Sequence, residues 1–178
     1  MYNNQLIITN QNSKQALIKS KKLLDITKKL LEKKDDEWLI FLFNWAREHI
    51  IQERTLFPKS KEELLQIKHL SLRWNRLSYL PKELFNLTQL ERLELNNNSL
   101  ETLSDEIGNL KNLKELNLNI NSLKKLPKEI IKLKKIEILN IKNNKYLELE
   151  EEHLLWLKEL KIKGCEIIHD KYKFNLGE

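Results

Sequence analysis

The sequence is poor in the residues that close, break or loosen a chain. One cysteine, Cys165, stands among 178 residues, so no disulfide can form within the chain. Three glycines and three prolines leave little room for flexible linkers. The apolar stretch Trp38–Trp45 is far shorter than the roughly 20 residues a membrane-crossing helix needs, and reads as core. The N-terminus, MYNNQLIITNQNSKQ, has no basic segment followed by a long apolar run, so no secretion signal is expected. Catalytic patterns are missing as well. There is no glycine-rich phosphate loop, no G-x-S-x-G elbow and no pair of histidines in metal spacing. His49, His69, His153 and His169 are scattered, and His169-Asp170 is a tail dipeptide with no nucleophile at a meaningful distance. The expectation is a chain without enzymatic activity, cofactor or metal.

What is present is 40% hydrophobic and 33% charged, the balance of a soluble globular chain rather than a disordered one. The net charge of +6 is mild and spread through lysine-rich segments. Its ordinary meaning is a solvated surface, with some power to steer acidic partners.

The organising stretch runs from Leu90 to Lys135, LERLELNNNSLETLSDEIGNLKN followed by LKELNLNINSLKKLPKEIIKLKK. Two copies of one pattern, L-x-x-L-x-L-x-x-N-x-L-x-x-L-x-x-x-I-x-x-L, lie end to end. The L-x-L part alternates apolar and polar, the period of a strand with one buried face. Leu103, Ile107 and Leu110, then Leu126, Ile130 and Leu133, are spaced three or four apart, as in a short helical or 3₁₀ return. A single unit cannot bury its leucines, so units must stack. The recurring asparagine leaves the strand with donors and acceptors for the turn backbone that stacking buries. Earlier and later copies start at Ile67 and Ile136, and a last half copy is read at Leu157, Leu160, Ile162 and Cys165. The starts 67, 90, 113, 136 and 157 are 23, 23, 23 and 21 residues apart. The asparagine ladder then reads Asn75, Asn98, Asn121 and Asn144, with Cys165 in the fifth slot. A cysteine buried there would have a raised pKa and be inert.

This frame resembles the leucine-rich repeat family in its 23-residue form, with L-P-x-x-I returns at Leu80-Pro81 and Leu126-Pro127. Ser104 stands in the place of the return proline in the second copy. The resemblance covers about residues 67–165. It implies an α/β fold: a short curved solenoid with a parallel sheet on its concave face and helical or 3₁₀ returns on its convex face, used mainly for protein recognition. Extracellular members usually close their ends with disulfide-bonded caps, which one cysteine rules out; a reducing compartment is expected, bacterial cytosol or host cytosol. The short array with a helical N-terminal segment looks like small bacterial leucine-rich repeat proteins, including effectors delivered into host cells.

The chain then divides into an N-terminal helical cap at 1–60, repeats at 61–165 and a C-terminal cap or tail at 166–178. Asn12 or Ser13 caps a first helix running to about Lys34. Asp35-Asp36 opens a second helix that carries Trp38, Leu39, Phe41, Leu42, Trp45 and Ile50 and stops before Phe57-Pro58. These helices either cover the edge of the first repeat or offer a second surface, for a partner or for a homodimer. Ser60-Lys61-Glu62-Glu63 is a capping box for a short helix ending near Gln66. Glu148-Leu149-Glu150-Glu151-Glu152 opens a last helix containing Leu154, Leu155 and Trp156.

With the leucines at frame positions 4 and 6 inside, positions 3, 5, 7 and 8 face the concave side. A protein partner is expected there, on His69, Arg73, Trp74, Arg92, Glu94, Asn96, Glu115, Asn117, Asn119, Ile120, Ile138, Asn140, Lys142, Lys161 and Lys163. Tryptophan and arginine are frequent interface anchors, and Trp74 beside Arg73 and Arg92 is the leading candidate. The competing role for Trp74 is packing against the N-terminal cap. Lys124, Lys125, Lys128, Lys132, Lys134 and Lys135 lie on the return side, where a basic ridge meets nucleic acid or an anionic surface in an alternative reading. Glu129 and Glu137 interrupt it and no aromatics interleave, so nucleic acid is the weaker partner.

Overall fold

Among the described residues, five three-residue strands and their returns carry the repeat pattern into space. The computed structural model describes residues 37–50 and 57–170. The expected first helix, Asn12 to Lys34, lies outside the described residues. The chain divides into two compact units, 1–41 and 42–178.

The strands are β1 (His69–Ser71), β2 (Arg92–Glu94), β3 (Glu115–Asn117), β4 (Ile138–Asn140) and β5 (Glu166–Ile168). They form one parallel sheet in the order β1-β2-β3-β4-β5. Its register aligns Leu70, Leu93, Leu116, Leu139 and Ile167. These strands are short because each unit leaves the sheet as soon as its L-x-L core is spent. The returns are 3₁₀ helices η1 (Lys82–Asn86), η2 (Asp105–Asn109) and η3 (Lys128–Lys132). Pro81 and Pro127 precede η1 and η3 with φ of −68°, and Ser104 precedes η2 with φ −75°. Proline is locked near that angle, so serine adopts what proline imposes.

The core is a stack of these leucines and isoleucines. Leu90, Leu93, Leu95, Leu100, Ile107 and Leu110 are fully buried, as are their counterparts in the next unit, Leu113, Leu118, Leu123, Ile130 and Leu133. Gly108 is where two returns touch. A Cβ on it would lie 2.7 Å from the Glu129 carbonyl oxygen, so only glycine lets η2 and η3 approach.

Helix α1 spans Glu37–His49. Leu42, Trp45, Ala46 and Ile50 are buried. Trp45 stacks on His49, with ring centres 5.6 Å apart, and meets Tyr79 of the first repeat edge-on. The Tyr79 hydroxyl lies 3.2 Å from His49 Nε2. Helix α2 (Lys61–Leu65) starts at the Ser60 cap, whose hydroxyl accepts from the Glu63 amide at 3.2 Å. Glu63 reaches back to the amide of Lys59 rather than of Ser60.

The C-terminal end departs from the expected frame. Helix α3 (Glu151–Ile162) takes up the residues assigned to a fifth strand. Lys161 is in its last turn and Lys163 is its C-cap. Neither belongs to the sheet. Leu157, Leu160 and Ile162 match L-x-x-L-x-L, but Leu157 and Leu160 are also a helical i, i+3 pair, and Glu150–Glu152 place negative charge at the helix N-terminus. Gly164, at φ +88°, ends the helix. Its amide donates to Lys161 O and the Cys165 amide to Leu160 O, a Schellman closure. The fifth strand follows, so the sheet reaches into 166–168, residues assigned to the terminal cap. Cys165 therefore does not hold the fifth asparagine slot. The Glu166 amide bonds Glu137 O as the Arg92 amide bonds Lys68 O, which puts Cys165 at frame position 2, in line with Lys68, Glu91, Lys114 and Glu137. Cys165 is buried, and burial pushes its thiol up to about 11. Two buried side chains seat α3 on η3: Trp156 Nε1 donates to Leu133 O and His153 Nε2 to Pro127 O, while His153 Nδ1 accepts from the Glu150 amide.

Candidate functional site

The open face of the sheet is built from residues flanking the buried leucines. One row runs His69, Arg92, Glu115, Ile138 and Glu166; the next runs Ser71, Glu94, Asn117, Asn140 and Ile168. Beyond the strand ends, Arg73, Asn96, Asn119 and Lys142 continue the face, followed by Trp74, Asn97, Ile120 and Asn143. The structure brings together all the residues expected there except Lys161 and Lys163. A shallow depression of about 120 Å³ lies between Arg92, Glu94, Glu115, Asn117, Ile138, Asn140 and Ile168.

Electrostatics organise the first rows. The Arg92 guanidinium donates to Glu115 at 2.5 Å, and that bond raises the arginine's pKa further. Beside this pair, Glu91 receives Lys68 and Lys114, each at 2.9 Å. The two lysines, Lys68 foremost, hold its carboxyl down at about 2. The position-2 residues thus alternate in sign, Lys68, Glu91, Lys114, Glu137. Charges on neighbouring units pair instead of repelling.

The asparagines support this face from below. Asn98 Oδ1 accepts from the amides of Asn75 and Leu77, and its Nδ2 donates to Leu72 O and Leu95 O. Asn121 and Asn144 repeat the arrangement one and two units on, accepting from Leu100 and Leu123. Each amide spans two units, and Leu95 O and Leu118 O each accept from two successive asparagines, so the ladder satisfies turn groups that stacking buries.

Just past the strands the backbone turns through the left-handed region. Trp74, Asn97, Ile120 and Asn143 have φ of 63°, 58°, 51° and 58°. Their amides continue the rungs: Trp74 N to Asn96 O, Asn97 N to Asn119 O and Ile120 N to Lys142 O. In the fourth unit the Asn143 amide donates to the Asp170 carboxylate at 3.0 Å, so this side chain stands in for the next unit's carbonyl. Asp170 was missed in the sequence because its partner is 27 residues away and no motif marks it. Asparagine tolerates φ near +55°. For an ordinary L-residue that conformation costs roughly 1–2 kcal/mol, and a β-branched residue there is a genuine outlier. Trp74 and Ile120 are also 54% and 44% exposed.

On the return side Lys124 pairs with Glu101 at 2.6 Å, Lys134 with Glu159 at 3.0 Å and Lys132 with Glu129, while Lys135 donates to Asn112. Among the described residues no cluster of three His, Cys, Asp or Glu side chains is placed to hold a metal, and no helix is long and apolar enough to cross a membrane.

A family model described as leucine rich repeat matches residues 65–123. Over this stretch the repeats are similar to leucine-rich repeats, and the parallel sheet with its 3₁₀ returns is the fold of such a repeat array. A leucine-rich repeat protein of Leptospira interrogans is similar in structure, with 36% identity and a TM-score of 0.50 over 64% of this chain. A plant peptide hormone receptor, RGFR1, solved in complex with RGF2, is 33% identical over 64% of the chain, with a TM-score of 0.48. The chain covers 28% of the bacterial protein and 18% of the receptor. No curated protein matches it.

Proposed function

We propose that this chain is a non-enzymatic protein-interaction module that holds one protein partner against the open, concave face of its sheet. It is an adaptor of the kind found in bacteria, or an effector that does the same work in a host cytosol. The observation that carries this reading is the surface placement of Trp74, Ile120 and Ile138 on one side of a rigid sheet, with arginine and asparagine between them. Apolar and aromatic side chains ringed by polar ones are the make-up of a recognition surface. The bacterial neighbour supports the same class. The lysine ridge favours nucleic acid less than its sequence implies, because four of its six lysines already pair with Glu101, Glu129, Glu159 and Asn112.

The test uses immobilised protein in bacterial and host lysates, beside a variant with Arg73, Trp74, Arg92 and Asn119 changed to alanine. A partner retained by the native chain and lost by an equally folded variant supports the concave face. A partner retained by both moves the interface elsewhere, first to α1.

A further inference from the structure

The chain as a whole is basic, at +6, yet the strand rows of the open face carry the opposite sign. With His69 neutral they hold one arginine, Arg92, against three glutamates, Glu94, Glu115 and Glu166, a net charge of −2. Arg92 is spent on Glu115. Among the described residues no cation forms an ion pair with Glu94 or Glu166. Beyond the strand ends the sign reverses, with Arg73 and Lys142. The depression on this face joins the Glu94 carboxylate to the apolar side chains of Ile138 and Ile168. Asn117 and Asn140, neighbours across one rung, each spend Oδ1 on a backbone amide two residues on, that of Asn119 and that of Lys142. Their Nδ2 groups have no acceptor among the described residues.

Resting on the concave-face reading, we infer that the strand rows dock a basic, extended segment of the protein partner, with one lysine or arginine side chain in the depression beside Glu94. Charge complementarity selects the cation. Arg92, Glu94 and Glu115 together leave one negative charge there, which a single ammonium or guanidinium cancels. A carboxylate or phosphate in the same place meets Glu94 and Glu115 as like charges. The apolar wall suits the same side chains. The methylene stem of a lysine or arginine lies along Ile138 and Ile168 while its charged head stays at Glu94. The free amides select the conformation. Carbonyls of a helix are spent inside it, whereas those of an extended segment are open to the Nδ2 groups of Asn117 and Asn140. Arg73 and Lys142 repel further cations, so the basic run is confined to the strand rows.

The test selects from a displayed library of random 12-residue peptides with the native chain. Enrichment of lysine or arginine at one position is expected, and the one that prevails names the side chain. Synthetic versions of the enriched sequences are then titrated against Glu94→Gln, Ile138→Ala and a strand-end pair on the same face, Arg73→Ala/Asn119→Ala, each checked for an unchanged thermal midpoint. Glu94→Gln should lose about tenfold in affinity, the worth of a hydrogen bond to a charged group, and flatten the salt dependence. Ile138→Ala should lose less. Changing the peptide's basic residue to methionine should cost about as much against the native chain and nothing further against Glu94→Gln. The native-chain half of that comparison stands whatever a variant does to folding. Failure to enrich a basic residue, or indifference of the native chain to its replacement, overturns the inference. Peptides weakened by the strand-end pair but not by Glu94→Gln overturn the depression and leave the concave reading standing. Peptides unaffected by every variant overturn both.

Discussion

At the scale of single residues, position within the unit decides what a side chain does. Ile120 and Asn97 share one backbone conformation, yet only asparagine suits it. Ile120→Asn is expected to stabilise the chain by about 1 kcal/mol, the lower end of the left-handed cost, measured by urea unfolding; a loss of stability would show that Ile120 packing outweighs its backbone. Glu91 makes the second prediction. Its carboxyl ionises at about 2 in the folded chain against 4.5 unperturbed. A depressed carboxylate stabilises the fold in full above the unfolded value. That contribution fades as pH falls from about 4.5 toward 2. Glu91→Gln should therefore reduce the acid-side slope of stability in that window, and 1 M salt should weaken the difference, since the ion pairs are exposed. Direct NMR titration of the Glu91 carboxyl checks the midpoint.

At the scale of elements, the returns differ in what holds them. Ser104 has the dihedrals that Pro81 and Pro127 have in the neighbouring units. Ser104→Pro is expected to add about 0.5 kcal/mol by restricting the unfolded chain, offset in part by the lost bond from Ser104 to Glu106; equilibrium unfolding reads the sum. Gly108→Ala should act in the opposite sense. Its new methyl meets the Glu129 carbonyl, and overpacking of this sort costs about 1–3 kcal/mol, visible as a lower denaturation midpoint. Helix α3 was readable in part. The acidic run Glu148–Glu152 announced it, two residues ahead of the Glu150 cap, but the repeat frame obscured its length. Gly164 was the signal that would have corrected the frame, since glycine just past a lysine-bearing last turn is a helix stop.

At the scale of the whole repeat array, stability passes from unit to unit, and the last unit needs a substitute for a neighbour. Asp170 supplies it by accepting the Asn143 amide. Asp170→Ala is expected to raise the hydrogen-exchange rate of the Asn143 amide by tenfold or more and leave the Asn97 amide unchanged, because solenoids couple mainly to nearest neighbours. Equal acceleration at both would mean that the array opens only as a whole. The same nearest-neighbour logic accounts for the alternating Lys68, Glu91, Lys114 and Glu137. A like-charged column at this spacing would push units apart, whereas opposite signs favour stacking in register.

The sequence by itself determined the repeat, its strand-and-return unit and the row of residues beside the buried leucines. Each of these follows from periodicity, and a period is a local property that a chain displays wherever it is read. Tertiary structure decided where the period stops. Leu157, Leu160 and Ile162 satisfy strand and helix patterns equally, and the docking of Trp156 and His153 on η3 selects the helix. It also decided the roles of residues whose partners are distant in the chain. Asp170 becomes a rung, and Cys165 joins the charged column rather than the asparagine ladder. The left-handed turns that hold Trp74 and Ile120 outward belong here too. They arise from closing each unit onto the next, a geometric demand that no single unit contains.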